Sequence, residues 1–222
     1  MTSWLSRNKG FLTFLLCFGV FRTAVADWNP IPSGSMRPTL LEGDVVFVNR
    51  LAYDLKLPLT DIVITPLGEP RRGDIVTFSS PRDGTRLIKR IVGLPGDRIA
   101  MKDDVLTVNG ATARYDDTWE APDPVAPGRL LESVHATEQV AGSRRGVQFL
   151  PAVRARRDLA PLTVPAGSYF MLGDNRDNSE DSRYIGVVPR HLLIGRASNV
   201  LVSADILEHW QPRLARVGKS LE

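Results

Sequence analysis

The chain has 222 residues, of which 43% are hydrophobic and 24% are charged, and its formal net charge is +3. This composition is typical of a globular protein and excludes a disordered chain, and the small net charge with scattered arginines argues against nucleic-acid binding. Cys17 is the single cysteine, so no disulfide can form within the chain.

An apolar segment, residues 10–21, follows the basic residues Arg7 and Lys9. Two interpretations of it remain open. As a secretory signal peptide it would end in a small-x-small sequence at Ala26, after which the chain could also cut itself. As a membrane anchor, residues 10–28 nearly supply the ~20 residues that cross a bilayer. In both cases the positive charges keep the N-terminus in the cytoplasm, and the rest of the chain is exported.

The polar stretch PSGSMRPT, residues 32–39, follows this segment. Gly34 permits a tight turn between Ser33 and Ser35, and prolines on both sides stiffen the loop. A rigid, exposed serine suits a nucleophile, because its orientation is fixed before the reaction. An ordinary serine- and glycine-rich loop is the alternative interpretation.

From residue 44 onward the sequence predicts β-structure. The predicted strands are short, rich in β-branched residues and separated by Gly, Pro and Asp; they lie in residues 44–51, 74–80, 85–94 and 105–110. The first is apolar on both alternating faces, which indicates a strand buried on both sides or lining a groove on one. Asn109-Gly110 predicts a hairpin.

Lys89 lies in the predicted strand 85–94, where alternation places it on the same face as Leu87 and Ile91. Arg86 and Arg90 fall on the opposite face, where we expect them to be solvated. Burial of an amine on an apolar face lowers its pKa from ~10.4, so that it can act as a general base near neutral pH. A lysine that reaches solvent at a sheet edge is the alternative.

Residues 114–161 contain clustered prolines and arginines, and they predict a small α/β or irregular inserted subdomain. Order returns at residues 162–174 and 186–203. Between these, GDNRDNSEDSR (residues 173–183) predicts a loop cross-linked by side-chain hydrogen bonds. It lacks the central Gly and closing Glu of a calcium loop, so we predict no metal there.

PSGSMRPT, KRIVGLPGD and GDNRDNSEDSR, in this order, closely resemble the motifs of the bacterial type I signal (leader) peptidases, which are serine proteases with a Ser-Lys dyad. The resemblance implies a mostly β, antiparallel catalytic domain of the signal peptidase/LexA-like class, after one N-terminal membrane-spanning helix. The implied boundaries are a cytoplasmic segment at 1–9, an anchor at 10–28, a catalytic core at 29–113 and 162–222, and an insertion at 114–161.

The resemblance also implies the roles of individual residues. Ser35 corresponds to the nucleophile and Lys89 to the general base. Ser33 corresponds to the serine that completes the oxyanion hole with the Ser35 N–H, and Ser179 to the serine that hydrogen-bonds the lysine. The residues expected to brace the site are Asp174, Asp181, Arg183 and Arg90. Shallow apolar substrate pockets are expected from Ile31, Met36, Leu40, Val46 and Ile88.

The predicted activity is removal of signal peptides from preproteins after a small-x-small site, with no metal or cofactor. The expected partners are preprotein signal peptides and the lipid bilayer, with no nucleic acid and a monomer as the default oligomeric state. The expected location is the bacterial inner membrane, single-pass, with the catalytic domain outside.

Three other hypotheses about the function are compatible with the same sequence. A Ser-His-Asp hydrolase would recruit one of the three histidines, of which His191 is the best placed. A specialised processing peptidase of a conjugation or secretion system would use the same dyad on fewer substrates. A non-catalytic, membrane-tethered peptide-binding domain would leave Ser35 as a loop residue and Lys89 as a structural cation.

Overall fold

The computed structural model describes residues 4, 7–60, 62–207 and 209–221. Within these residues the fold is mostly β, with two α-helices, α1 (Lys9–Ala24) and α2 (Ser182–Ile185). The strands in chain order are β1 (Ala26–Pro30), β2 (Asp44–Asn49), β3 (Asp54–Lys56), β4 (Val63–Pro66), β5 (Ile75–Ser79), β6 (Arg86–Gly93), β7 (Arg98–Lys102), β8 (Val105–Val108), β9 (Ala111–Thr112), β10 (Arg114–Ala126), β11 (Arg129–Val140), β12 (Ser143–Phe149), β13 (Leu159–Thr163), β14 (Ser168–Leu172), β15 (Val188–Pro189) and β16 (Leu193–Ser203).

The main sheet has the strand order β1-β2-β16-β5-β6-β14-β15, and its neighbouring strands are antiparallel. Consecutive residues Ile75 and Val76 belong to two different core clusters, so both faces of this sheet are buried. This explains the runs of consecutive apolar residues in the predicted strands. The mostly β, antiparallel fold predicted from the sequence is confirmed.

A smaller antiparallel sheet has the order β13-β7-β8-β9. Its hairpin turn is at Asn109-Gly110, as predicted, and both residues have positive φ, at 52° and 83°. Apolar residues of β7 and β8 pack with Phe170 and Leu172 of β14, which joins this sheet to the main one. β13 begins at Leu159, just before the predicted end of the insertion.

The prediction of an α/β or irregular insertion was wrong for residues 114–149, which form the antiparallel sheet β10-β11-β12 with two register shifts between β10 and β11. Residues 150–158 form neither helix nor strand. The prediction rested on clustered prolines such as Pro122 and Pro124, which are rare in central strands. They lie two residues apart on the edge strand β10, where a missing N–H on the outer side breaks no hydrogen bond between strands.

The N-terminal apolar segment forms α1, whose side chains Phe11, Phe14, Leu16 and Phe21 are exposed. Among the described residues, no helix combines the length and apolar character needed to cross a bilayer. Residues 26–28 of the predicted anchor belong to β1 rather than to the helix. Residues 1–3, 5 and 6 of the predicted cytoplasmic segment lie outside the described residues.

Candidate active site

Ser35 lies in a single 3-10 turn, Gly34–Met36, between β1 and β2. Its Oγ is 2.7 Å from the Nζ of Lys89, and the same amine also donates to the Ile88 carbonyl at 2.9 Å. Ser35 is only 7% exposed and Lys89 3% exposed. The structure therefore brings together the serine and the lysine that the sequence singled out, although they are 54 residues apart.

Lys89 points from the face of β6 that also carries Ile91, as the alternation predicted. Burial lowers the pKa of its amine to about 8, while the charges of Asp181, Asp174 and Glu180 act in the opposite direction. A large fraction of this amine is thus neutral at mildly alkaline pH, and a neutral amine in contact with a hydroxyl can remove its proton.

Asp181 and Asp174, the two carboxylates with the largest electrostatic effect on Lys89, are each paired with an arginine. Arg90 holds Asp174 through Nε and Nη2 at 2.9 and 2.7 Å, and Arg183 holds Asp181 in the same way, at 2.8 Å for both bonds. All four residues are buried. The prediction that Arg90 is solvated was wrong, because Asp174 in a distant loop supplies it with a buried partner.

Asn175 and Gly173 hold the turn that carries Ser35, and sequence reasoning missed both. The Asn175 backbone N–H donates to the Ser35 carbonyl at 3.2 Å, and its side-chain amide donates to the Gly34 carbonyl at 3.0 Å. A Cβ on Gly173 would lie 2.2 Å from the Oγ of Ser179 and 2.5 Å from the Ser35 carbonyl oxygen. Only glycine allows the two loops to approach so closely.

Arg37, two residues after Ser35, fastens the same turn to the β10–β12 sheet. Its guanidinium is buried and donates to Glu42 at 2.7 Å and to Asp123 of β10 at 2.7 Å, and Gln148 of β12 donates to the same Asp123 carboxylate at 2.6 Å. Asp123 lies 86 residues from Arg37 in the chain. No local sequence signal distinguishes it from the neighbouring acidic residues.

Ser33 and Ser179 both line the cleft that opens at Ser35 and Lys89. Ser33 is exposed and has extended backbone angles immediately before the 3-10 turn. Ser179 is buried, and within the described part of the chain its Oγ has no hydrogen-bond partner. The oxyanion role of Ser33 and the contact of Ser179 with the lysine therefore stay predictions.

The cleft has a volume of about 560 Å³. Its apolar lining comes from Leu87, Val153 and Tyr184. The residues predicted to form substrate pockets lie elsewhere, in or against a buried core cluster: Ile31, Met36, Leu40 and Val46 are members of it, and Ile88 packs on its surface. Their role in binding substrate stays a prediction.

Among the described residues, the hydrogen bonds of His135 and His191 are made to groups other than Ser35. The His135 Nε2 is 2.9 Å from the Oγ of Ser133 in the β10–β12 sheet, and its ring stacks on Trp119 with a centroid separation of 4.0 Å. The backbone carbonyl of His191 accepts a hydrogen bond from the Lys56 amine at 3.3 Å. Within the described residues no histidine hydrogen-bonds Ser35, and this arrangement favours lysine over histidine as its base.

Known proteins resemble this chain along most of its length. The family model described as "Signal peptidase, peptidase S26" matches residues 3–202. A signal peptidase I from Pseudomonas aeruginosa is 37% identical over 227 residues, which span 95% of this chain and 77% of that protein. A signal peptidase I from Rickettsia typhi is 34% identical over 208 residues, or 87% of this chain and 79% of that protein. A crystal structure of a signal peptidase I from Enterococcus faecalis has 32% identity, covers 58% of this chain and 96% of its own, and superposes with a TM-score of 0.36.

Proposed function

The chain belongs to the peptidase S26 family of signal peptidases, and from this premise we propose that it is a signal peptidase I whose catalytic dyad is Ser35 and Lys89. It is a serine endopeptidase that removes signal peptides from exported preproteins, after a small-x-small site. The assignment of the dyad rests on the 2.7 Å contact between the Ser35 hydroxyl and the buried amine of Lys89.

In the proposed mechanism, the neutral amine of Lys89 takes the hydroxyl proton of Ser35 while Oγ attacks the scissile carbonyl. The carbonyl oxygen becomes an oxyanion, which accepts hydrogen bonds from the Ser35 backbone N–H and the Ser33 hydroxyl. Donors that are fixed before the reaction stabilise such an oxyanion by roughly 3–4 kcal/mol each. The position of Ser33 in the cleft supports this role.

The second half of the reaction uses the same groups. The protonated Lys89 gives its proton to the amine of the mature protein as the peptide bond breaks, leaving the signal peptide as an ester of Ser35. Lys89 then removes a proton from water as the water attacks the ester. When the bond from the acyl carbon to Oγ breaks, Lys89 returns the proton to Oγ, and the signal peptide leaves as a carboxylic acid. Ser179 is proposed to hydrogen-bond the lysine during this cycle. Its buried hydroxyl lines the cleft and has no hydrogen-bond partner among the described residues, which supports that role.

Asp174, Asp181, Arg183 and Arg90 are proposed to brace the site from behind. The pair Asp181–Arg183 also fixes the loop that follows β14, because the Gly173 N–H donates to the Asp181 carboxylate at 3.0 Å. Substrate side chains are proposed to be selected for small size at the apolar cluster of Ile31, Met36, Leu40 and Val46. Ile88, which is only partly buried, would be the point where they meet it.

The membrane anchor is part of the proposal, with residues 1–9 in the cytoplasm. It is limited to the helical part of the predicted span 10–28, residues 10–24, because residues 26–28 pair with β2. Residues 29–113 and 162–222 would form the catalytic core on the outer side, with residues 114–161 inserted. The exposed phenylalanines of α1 support an anchoring role, because apolar side chains on the outside of a helix are stable in lipid.

The proposal is tested by cleavage of a preprotein in vitro with the wild type, Ser35→Ala, Lys89→Ala and His191→Ala. We expect both dyad variants to lose activity to background, a loss of several orders of magnitude for such residues. His191→Ala should cleave at the wild-type rate. Normal cleavage by Lys89→Ala would reject the dyad, and loss of activity in folded His191→Ala would favour a histidine base instead.

A further inference from the structure

The cleft at the dyad has a second wall, formed by the segment that follows β12, residues 150–157, and by the residues around the start of α2. Val153 and Arg154 of this segment line the cleft together with Glu180 and Tyr184. These four residues are separate from the apolar cluster that is proposed to select small side chains. The cleft therefore has a wall with charged side chains as well as the apolar one.

Hydrogen bonds hold the segment 150–157 in place, although it is neither helix nor strand. The Nε of Arg157 donates to the Asp177 carboxylate at 3.0 Å, and its Nη2 donates to the Val153 carbonyl at 3.2 Å. The Leu150 N–H donates to the same carboxylate at 2.8 Å, and the side chain of Asp177 is fully buried. The backbone on both sides of Arg154 is thus attached to the loop that carries Ser179.

Arg154 differs from the two other arginines near the end of this segment, which both have partners. Arg157 is paired with Asp177, and the Arg156 guanidinium lies over the ring of Tyr184, with its carbon 5.1 Å from the ring centroid. Arg154 is exposed, and its side chain forms no ion pair or hydrogen bond with any residue that the structure describes. Its guanidinium is available to a molecule that enters the cleft.

The other charges that line the cleft are compensated. Arg82 and Glu180 form an ion pair with each other. Asp177 is paired as described above, and Lys89 is neutral when it acts as the base. Arg154 therefore gives the cleft its net positive charge. A positive charge inside a cleft attracts an anionic group on the bound partner and disfavours a cationic one.

The proposed reaction indicates which half of the substrate meets this wall. The acyl half, whose small side chains are proposed to meet the apolar cluster at Ile88, stays attached to Ser35 after the first step. The other half leaves as an amine that takes its proton from Lys89. The wall formed by residues 150–157 is separate from the apolar cluster, so it faces the half that leaves, the N-terminal residues of the mature protein.

We propose that Arg154 is a specificity-determining residue that binds an acidic side chain near the N-terminus of the mature protein. It thereby favours preproteins with Asp or Glu among the first few residues after the cleavage site. The inference rests on the proposed function and names its substrate class more closely. Because the guanidinium stays accessible to solvent, the preference amounts to about fivefold in kcat/KM, the size of an exposed ion pair, and it weakens as salt is added.

The proposal is tested with preproteins that are identical except at one residue of the mature region. Asp, Asn or Lys stands at the second, third or fourth residue after the scissile bond, or at the twelfth residue as a reference. We expect the wild type to cleave the best Asp substrate about fivefold faster in kcat/KM than its Asn counterpart, and the Lys substrate more slowly than either. At the twelfth residue the three substrates should be cleaved equally.

Variants of the enzyme assign the preference to one side chain. Arg154→Ala should abolish the difference between the Asp and Asn substrates, and Arg154→Glu should reverse the preference and make the Lys substrate the best. The control is Arg129→Ala, which removes the same charge at an exposed position in the turn between β10 and β11. It should keep both the rate and the preference of the wild type. Thermal unfolding curves check that each variant is folded.

Three results would overturn the proposal and leave the peptidase intact. They are a preference for Asp that persists in folded Arg154→Ala, a preference that Arg129→Ala loses to the same extent, and equal cleavage of the Asp, Asn and Lys substrates by the wild type. The second result would show an effect of net charge rather than of a contact in the cleft. A wild-type chain that cleaves none of the substrates would reject the proposed function itself, and this inference with it.

Discussion

Lys89 and Arg90 are neighbours on β6 with opposite electrostatic environments. Burial disfavours the charged form of both side chains, but Asp174 contacts Arg90 directly and raises its pKa above the usual value. The carboxylates that act on the charge of Lys89 each form an ion pair with an arginine: Asp174 with Arg90, Asp181 with Arg183, and Glu180 with Arg82. The arginines thereby spare the lysine from a direct ion pair, which would have kept it protonated.

This environment predicts the pH dependence of the reaction. The base must be neutral, so kcat/KM should rise about tenfold per pH unit below the pKa of Lys89 and level off above pH 8. Glu180→Gln should move this rise to lower pH, because Glu180 raises the pKa of Lys89 and its removal disfavours the protonated amine. The check is a pH–rate profile, with the exposed Glu120→Gln as control. If kcat/KM rises at the same pH in Glu180→Gln and in Glu120→Gln, the role given to the charge of Glu180 is contradicted.

At the scale of elements, the β10–β12 sheet takes part in holding the nucleophile. Arg37 bridges Glu42, near its own turn, and Asp123 of β10, and all three side chains are buried or nearly so. A buried cation that loses one partner is strongly destabilised, by about 3–5 kcal/mol in measured cases. The sheet that looked like a variable insertion in the sequence is therefore a support for the turn at Ser35.

Asp123→Asn tests this support. The neutral amide would leave the charge of Arg37 partly uncompensated, so the turn at Ser35 should shift, and kcat should fall about tenfold, consistent with the sensitivity of catalysis to small misplacements. KM should change little. The control is Asp117→Asn, on the same strand as Asp123, which removes an exposed ion-pair partner of Arg144 on β12. This substitution should leave both kcat and the unfolding temperature unchanged. Kinetics and a thermal unfolding curve check both. A folded Asp123→Asn with normal kcat would show that the sheet is not needed for the site.

At the scale of the whole molecule, the helix and the catalytic domain are joined without a linker. α1 ends at Ala24, and β1 begins two residues later and pairs with β2 along its length. Ala24 and Ala26 are buried, and Ala26 lies opposite Asn49. The small-x-small sequence that could serve as a cleavage site thus runs from the last residue of α1 to the first residue of β1, where another active site cannot bind it as an extended strand.

We therefore expect the folded chain to resist cleavage after Ala26, contrary to the hypothesis that the sequence alone suggested. N-terminal sequencing after long incubation at pH 8 should return the original N-terminus. A product that begins at Asp27 and is absent in the Ser35→Ala variant would show that β1 detaches often enough for self-cleavage.

The local features of this protein can be predicted from its amino-acid sequence alone. Alternation and β-branched residues predicted the strands, and Asn109-Gly110 predicted its hairpin. Ser35 and Lys89 were assigned by the resemblance of three motifs to a known family, because each alone was also compatible with an ordinary loop or with a lysine at a sheet edge. These features depend on residues close together in the chain, where backbone geometry and side-chain type suffice.

Contacts between residues that are distant in the sequence follow only from the tertiary fold. It buried Arg90 against Asp174, tied Arg37 to Asp123, required glycine at position 173, and placed the apolar tip of the β3–β4 hairpin beside α1. Each of these depends on how strands far apart in sequence are brought together when both faces of the main sheet are buried. The physical reason is that charge pairing and close approach are set by distance in space, and pairs separated by 84 and 86 residues leave no periodic trace along the chain.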